Sequence, residues 1–188
     1  MNYYAHTISK YDNFMLSDLE KLEKILKSGY LLSRRKLGLN KSDSLFNGMD
    51  YLSLTDLSKK DNGHSSYMMY TKKGLSLLFN KDIDVVIPKI IYLDSRHVDI
   101  GKKMHNLGLR GRFSDLSDEV QVKDRLSLEY LKGLTLSIDR IKYFHSDDYV
   151  NYYLYYALCM LKEYGYNLPI IDLNSEKEIE IDKIKRYV

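Results

Sequence analysis

The first clear hydrophobic pattern in the chain has the 3.6-residue period of an amphipathic helix. The tetrapeptide Ser17-Asp18-Leu19-Glu20 at its start matches a capping box, in which a serine hydroxyl and a glutamate carboxylate bond the otherwise unpaired first amides. Gly29 follows the pattern and supplies the left-handed conformation that ends many helices. We predict a helix between these two signals. Its apolar stripe consists of Leu19, Leu22, Ile25 and Leu26.

A second amphipathic pattern predicts a helix over residues 146–165. The acidic residues that follow Ser146 suit the positive end of a helix dipole, and Gly165 ends the pattern. Cys159 also falls on the apolar side of this pattern, which predicts a small buried thiol rather than a nucleophile. The predicted buried face consists of Val150, Tyr153, Leu154, Ala157, Leu158 and Leu161.

Short apolar runs with strand character lie between the two helices. An early helix, several short strands and a late helix indicate an α+β fold rather than a regular βαβ repeat. No repeat, low-complexity tract or linker divides the sequence, so we predict one domain over residues 1–188, with helix 146–165 packed on it. The predicted strands cover residues 4–8, 51–54, 74–79, 89–93, 119–122 and 134–138.

Composition and charge restrict the class of protein. The chain has 188 residues, of which 44% are hydrophobic and 29% charged, as in an ordinary globular domain. A single cysteine excludes an internal disulfide, and no apolar run approaches the roughly 18 residues of a membrane span. The N-terminus lacks the pattern of a signal peptide, so we expect a cytoplasmic protein. The net charge of +3 is too small to indicate a nucleic-acid ligand by itself.

The common chemical motifs are missing from the sequence. Neither G-x-G-x-x-G nor G-x-x-x-x-G-K-[ST] occurs, which argues against dinucleotide-binding and P-loop folds. The five histidines form no H-x-x-x-H, so we expect no zinc site. What remains is a dispersed set: His6 in the first predicted strand, Tyr67 and Tyr70 beyond the strand at 51–54, and Glu119 at the start of a late strand. Taken singly, these residues fit a hydrogen-bonded histidine, packing tyrosines and a solvated acidic turn, and those interpretations stay open.

Taken in order, the three places resemble the His-Tyr-Glu motif of the diphtheria-toxin-like ADP-ribosyltransferases, which include poly(ADP-ribose) polymerases and DNA-modifying bacterial toxins. Tyr4-Ala5-His6-Thr7 resembles the first strand of that family, and the predicted helix followed by Gly29-Tyr30-Leu31 resembles the next element. Residues 48–58 are similar to the strand and turn that precede the ring-stacking tyrosine. Residues 117–131 are similar to the strand that the catalytic glutamate opens. The similar blocks lie within residues 3–136, roughly 70% of the chain.

The resemblance implies a fold of split, mostly antiparallel sheets flanked by helices, and a mono-ADP-ribosyltransferase that uses NAD as co-substrate. Cleavage of NAD leaves an oxocarbenium-like ribose, which a fixed negative charge stabilises. Glu119 would supply that charge as the catalytic residue, while Tyr67 or Tyr70 would stack on the nicotinamide. The NAD-binding residues implied by the resemblance are His6, Thr7, Tyr51, Ser53, Tyr67, Tyr70 and Arg34.

The acceptor is expected to be a macromolecule, either a nucleic acid or a protein. Arg96, Arg110 and Arg112 lie in a basic segment that fits a phosphate backbone or the NAD pyrophosphate, although a solvated loop is an equal alternative. Small isolated domains of this family are often toxins, effectors or phage-related proteins, so an antitoxin or inhibitor is a further expected partner, and a membrane is not. An NAD glycohydrolase and a catalytically inert binding protein on the same fold remain the alternatives.

Overall fold

A mostly antiparallel sheet forms the centre of the fold in the computed structural model, which describes residues 1–9, 14–39, 50–59, 74–86 and 119–180. Within these ranges the fold is mixed α/β. The helices are α1 (Leu16–Ser28), α2 (Ile138–Phe144) and α3 (Asp147–Glu163). The strands are β1 (Tyr4–Thr7), β2 (Tyr30–Leu32), β3 (Tyr51–Asp56), β4 (Ser76–Phe79), β5 (Glu119–Lys123), β6 (Arg125–Ser127), β7 (Leu131–Leu136), β8 (Ile170–Asp172) and β9 (Lys177–Glu178).

The described strands form two separate sheets. The larger has seven strands in the order β5-β3-β1-β4-β7-β8-β9, and the smaller pairs β2 with β6. All neighbouring strands are antiparallel except β7 and β8. Strands β1, β3 and β5 are therefore consecutive neighbours at one side of the large sheet, although they are far apart in sequence.

The two faces of the large sheet have different surroundings. One face joins α1 and α3 in the main hydrophobic core, which includes Leu22 and Leu158 from the helices and Leu54 and Leu77 from the strands. Alternate positions on the strands belong to the other face, because successive side chains of a strand point to opposite sides. That second face carries a small apolar cluster around Ala5, Leu57, Leu78 and Leu173.

The first predicted helix is confirmed as α1, but its predicted capping box is wrong. Helix α1 begins at Leu16, and its N-cap Met15 makes no side-chain capping bond. Ser17 and Glu20 are exposed, whereas the Asp18 side chain between them is buried and bonded within the core. The C-terminal signal is confirmed, because Gly29 has a left-handed φ of 71° and its N–H reaches the carbonyls of Ile25 and Leu26.

The second predicted helix is confirmed as α3. The Ser146 hydroxyl accepts a hydrogen bond from the Tyr149 amide at 3.3 Å, and all six residues of the predicted buried face are buried. The prediction for Cys159 is wrong, because this residue is exposed. It follows Tyr156 by three residues and Tyr152 by seven, which places it with these two exposed tyrosines on the outer face of the helix.

The five predicted strands that fall within the described residues are confirmed in position but not at every boundary. Strand β1 ends at Thr7 rather than residue 8, β4 starts at Ser76 rather than residue 74, and β3 continues to Asp56. The predicted strand 134–138 is wrong at both ends, since β7 covers Leu131–Leu136 and Ile138 begins α2. A serine explains this last boundary: the Ser137 hydroxyl caps α2 by accepting from the Arg140 amide at 3.3 Å.

Strands β2, β6, β8 and β9 and helix α2 were not predicted from the sequence. The predicted strand at 89–93 lies outside the described residues. The single-domain organisation of residues 1–188 stays a prediction, and so does the cytoplasmic location. Among the helices of the described ranges, none has the length and apolar character that a membrane crossing requires.

Candidate active site

Three neighbouring strands carry several of the residues that the sequence analysis selected. His6 and Thr7 lie on β1, Tyr51 and Ser53 on β3, and the backbone of Glu119 opens β5. The Cα of Glu119 pairs with that of Thr55, which in turn pairs with Ala5, the residue before His6. Two strand spacings separate Glu119 from Ala5, a distance of about 10 Å. The sheet thus brings the strand that begins at Glu119 close to the end of the first strand.

The pairing between β1 and β3 stops short of the end of β1. Its register pairs are Tyr4 with Asp56 and Ala5 with Thr55, whereas pairing with β4 continues to Thr7 and Ser76. A continued β1–β3 ladder would bring Thr7 opposite Ser53. The carbonyl oxygen of Ser53 instead accepts a hydrogen bond from Nδ1 of His6 at 2.8 Å. The imidazole therefore occupies the place of a main-chain bond where the two strands separate.

The direction of the main chain at Thr7 follows from bonds on either side of it. The amide of Leu57 donates to the carbonyl of Tyr3 at 3.0 Å, and the amide of Ile8 donates to the carbonyl of Leu75 at 2.9 Å. Main-chain groups point to alternate sides along a strand, so the N–H and C=O of Thr7 are directed towards β3. They lie just beyond the last β1–β3 pair.

The protonation state of His6 follows from its surroundings. Burial lowers the pKa of His6 below its ordinary value of 6.5, although the hydrogen bond to the Ser53 carbonyl acts in the opposite direction. The ring is therefore neutral at physiological pH. Because Nδ1 holds the proton that Ser53 accepts, Nε2 is the unprotonated nitrogen and is a hydrogen-bond acceptor. A hydroxyl group of a ligand is a suitable donor to it.

A row of polar side chains crosses the sheet beside His6. Gln121 pairs with Ser53, Thr7 with Ser76, and Ser76 with Thr135. The hydroxyls of Thr7 and Ser76 are 2.9 Å apart. These residues were missed in the sequence analysis, except for Thr7 and Ser53. The signal that could have identified them is the single serine, threonine or glutamine within an otherwise mostly apolar strand.

Tyr51 and Arg34 lie near the far end of the β3–β5 pair from Glu119. Tyr51 pairs with Lys123, four residues along β3 from Thr55, which corresponds to about 13 Å. The turn that contains Arg34 lies beside the same end of the strand pair. The amide of Ser33, the residue before Arg34, donates to the carbonyl of Asp124 at 2.8 Å. An ion pair between Arg35 and Asp50 also holds the turn there. Arg34 and Glu119 are therefore at opposite ends of the same strand pair.

The remaining predicted site residues lie outside the described residues. They are Tyr67, Tyr70, Arg96, Arg110 and Arg112. The described ranges contain no group of three or more His, Cys, Asp or Glu side chains arranged to hold a metal ion.

The comparisons with known proteins concern the overall structure. No protein-family model and no curated protein sequence matches the chain. Among solved structures, the chain is similar to DarT of Thermus sp. 2.9 in complex with NAD+, with 11% identity, a TM-score of 0.42, and coverage of 90% of this chain and 93% of that chain. The same protein with carba-NAD+ gives 11% identity, a TM-score of 0.43 and 96% coverage of both chains. Its complex with ADP-ribosylated ssDNA gives 12% identity, a TM-score of 0.41, and coverage of 96% of this chain and 95% of that chain.

Proposed function

We propose that this chain is an NAD-dependent mono-ADP-ribosyltransferase with Glu119 as its catalytic residue. The observation that carries the proposal lies at the end of the β1–β3 ladder. There the His6 imidazole donates a hydrogen bond to the Ser53 carbonyl, and the main chain of Thr7 lies beyond the last paired residues. This arrangement supports a site that offers a hydroxyl acceptor and an amide partner side by side. NAD requires those two groups, one for a hydroxyl of its adenosine ribose and one for the carboxamide of its nicotinamide.

The neutral His6 ring would bind a ribose hydroxyl. Its Nε2 accepts from the hydroxyl while Nδ1 stays bonded to Ser53, so the ring orientation is fixed before NAD arrives. The N–H and C=O of Thr7 would pair with the carbonyl and amino groups of the carboxamide. Ser53 and Tyr51 on β3 would complete this side of the site, with Tyr67 or Tyr70 stacked on the nicotinamide ring.

The reaction breaks the bond between C1′ of the ribose and the nicotinamide nitrogen. The bonding electron pair leaves with nicotinamide, which becomes neutral, and the ribose takes on oxocarbenium character. The carboxylate of Glu119 would stabilise that positive charge and accept the proton that the acceptor loses as its lone pair bonds to C1′. Arg34, at the other end of β3, would bind the pyrophosphate.

The acceptor of the proposed reaction is a macromolecule. Arg96, Arg110 and Arg112 would bind it, as a nucleic acid through its phosphates or as a protein through acidic groups. A protein of this kind would act as a toxin, an effector or a phage-related protein, with an antitoxin or inhibitor as a further partner. Mass spectrometry of a host lysate treated with the protein and NAD would identify the acceptor by the mass of an added ADP-ribosyl group.

The test of the proposed function compares the wild-type protein with Glu119→Gln and Glu129→Gln, incubated with NAD. Glu129 is an exposed carboxylate in the turn that follows β6 and serves as the matched control. The wild-type protein and Glu129→Gln should release nicotinamide at similar rates. Loss of a preorganised charge should slow Glu119→Gln about a hundred- to a thousand-fold. Equal rates for the wild-type protein and Glu119→Gln would contradict the assignment.

The same incubation separates the two alternatives. A glycohydrolase would release nicotinamide and free ADP-ribose with no label on any acceptor. An inert binding protein would release neither. A thermal-shift titration then tests for NAD binding, because a ligand at about a hundred times its dissociation constant stabilises the folded state by about 2.7 kcal/mol. The absence of a shift at millimolar NAD would favour the inert binding protein.

A further inference from the structure

The buried carboxylate of Asp18 contacts the segment that follows β1. Asp18 of α1 is only 2% exposed, and its side chain is bonded on both oxygens. The hydroxyl of Ser9 donates to Oδ2 of Asp18 at 2.7 Å, and Nζ of Lys21 donates to Oδ1 at 3.1 Å. This carboxylate does not cap α1 by a side-chain bond to an N-terminal amide. Its partners instead lie in the segment that follows His6 and Thr7.

Two bonds connect this cluster to the main chain at the end of β1. The hydroxyl of Ser9 accepts from the amide of Leu75 at 2.8 Å, and Nζ of Lys21 donates to the carbonyl of Ile8 at 3.1 Å. Residues 8 and 9 are therefore held from two sides, by Leu75 just before β4 and by Asp18 and Lys21 of α1. Thr7 is the residue immediately before them.

The fit between this segment and the start of β4 is close. A Cβ atom at Gly74 would lie 2.3 Å from the Cβ of Ser9 and 2.5 Å from its hydroxyl oxygen. Any residue other than glycine at position 74 would therefore require the segment around Ser9 to move. The Ser9 segment thus packs closely against Gly74 on one side and bonds to Asp18 on the other.

Burial of the Asp18 side chain carries a desolvation cost, whereas the Lys21 side chain with which it pairs is 38% exposed. Desolvation offsets much of the attraction of such a pair, so a well-packed apolar cluster is often at least as stable. Directional bonds to Ser9 and to the Ile8 carbonyl, in contrast, fix the main chain in one geometry. The value of this cluster therefore lies in position rather than in stability.

We propose that Asp18 is a positioning residue, which acts through Ser9 and Lys21 to place the main chain of Thr7 and the ring of His6. This inference rests on the proposed function for its catalytic consequence. Its structural half, the placement of His6, is testable without NAD.

The experiment uses Asp18→Ala, Asp18→Asn and Ser9→Ala in the full chain. Asp18→Ala should lower kcat/KM for NAD about tenfold or more, because small displacements of substrate-positioning groups have effects of that size. Asp18→Asn retains an oxygen that accepts from Ser9 and should recover most of the activity. Ser9→Ala removes the bridge to Leu75 while Lys21 still pairs with Asp18, and it should reproduce the loss if Asp18→Ala does not fold.

The second readout is the Nδ1–H proton of His6 in NMR spectra. Its hydrogen bond to Ser53 should make it a slowly exchanging signal in the wild-type protein, and Asp18→Ala should broaden or remove that signal while Asp18→Asn preserves it. Asp172→Ala is the control for general destabilisation, because that carboxylate is also bonded to a serine and a helix amide but lies three strands from β1. It should leave the His6 signal and the kcat/KM unchanged.

The inference is overturned if Asp18→Ala and Ser9→Ala keep the His6 signal and kcat/KM within about twofold of the wild-type values, or if Asp172→Ala has the same effect on both. The proposed function fails separately, if the wild-type protein does not release nicotinamide from NAD. In that case the His6 signal alone decides whether Asp18 positions the end of β1.

Discussion

The ring of His6 and the main-chain oxygen of Ser53 are joined by a hydrogen bond of 2.8 Å at the point where β1 and β3 stop pairing. In a regular sheet the same oxygen would bond a main-chain amide of the neighbouring strand. The exchange of a main-chain donor for a side-chain donor opens the sheet over one residue and directs the peptide groups of Thr7 into the opening. A local irregularity of the ladder thus produces the candidate site.

The pKa of His6 predicts how stability depends on pH. Burial keeps the folded-state pKa below the ordinary value of 6.5, so the unfolded chain binds a proton more readily than the folded chain. The free energy of unfolding should therefore fall as the pH decreases below 6.5, until the folded-state pKa is also passed. The slope for one proton is at most about 1.4 kcal/mol per pH unit.

The measurement is urea unfolding of the wild-type protein and of His6→Asn at pH 7.5 and pH 5.5. Asparagine offers an amide N–H to Ser53 but does not titrate in this range. The wild-type protein should lose more stability than the variant between the two pH values. Equal losses would show that His6 is as easily protonated in the folded state as in the unfolded state.

The hydroxyl pair Thr7 and Ser76 should couple energetically. Ser76 is fully buried, and its hydroxyl lies 2.9 Å from that of Thr7. A double-mutant cycle with Thr7→Val and Ser76→Ala should give an interaction energy of about 0.5–1.5 kcal/mol, the usual net value of one hydrogen bond. Thr135→Val is the control partner for Ser76→Ala, since the Thr135 hydroxyl donates to the Ile171 carbonyl instead. Its coupling should be smaller than that of the Thr7 pair.

Gly74→Ala should destabilise the protein by about 1–3 kcal/mol, the usual effect of forcing an extra carbon into a packed region. The physical reason is the short distance that its Cβ would make to Ser9. Gly38→Ala is the comparison, because a Cβ at that position has no atom within 4 Å and meets only the disfavoured left-handed φ of 71°. Thermal unfolding of both variants tests this. A smaller loss for Gly74→Ala than for Gly38→Ala would contradict the close fit.

Asp172 should contribute to stability at neutral pH and lose that contribution in acid. Burial alone would raise the pKa of Asp172, but hydrogen bonds from Ser175 and from the amide of Ile138 prevail and lower it below 3.8. The contribution is therefore present above 3.8 and disappears as the pH falls through the folded-state pKa. Asp172→Asn should be less stable than the wild-type protein at pH 7, by about 1–2 kcal/mol. The difference should shrink at pH 2.5, and a constant difference would contradict the lowered pKa.

Periodicity made the two long helices predictable, because α1 and α3 each bury a stripe three and four residues apart. The same periodicity places Asp18 on that stripe, four residues before Leu22, and this signal could have identified it as a core residue rather than part of a capping box. Helix α2 has seven residues and the missed strands two or three, too few to show a period.

The sequence around His6, Ser53 and Glu119 predicts that each lies on a strand, but it did not give the geometry that brings those strands together. It does not predict that these strands are neighbours in the order β5-β3-β1, because that order depends on how the sheet assembles. The bond from His6 to Ser53 joins residues 47 positions apart and replaces a regular ladder bond. Local sequence carries no signal for such a replacement.

The central claim is that the carboxylate of Glu119 acts on NAD already bound at the end of β1. Isothermal titration of NAD and single-turnover release of nicotinamide, measured on the same preparations of wild-type protein and Glu119→Gln, test it most directly. The dissociation constant should stay within about threefold, while the rate of nicotinamide release should fall about a hundredfold or more. An unchanged rate in Glu119→Gln, or a wild-type protein that neither binds nor cleaves NAD, would contradict the account.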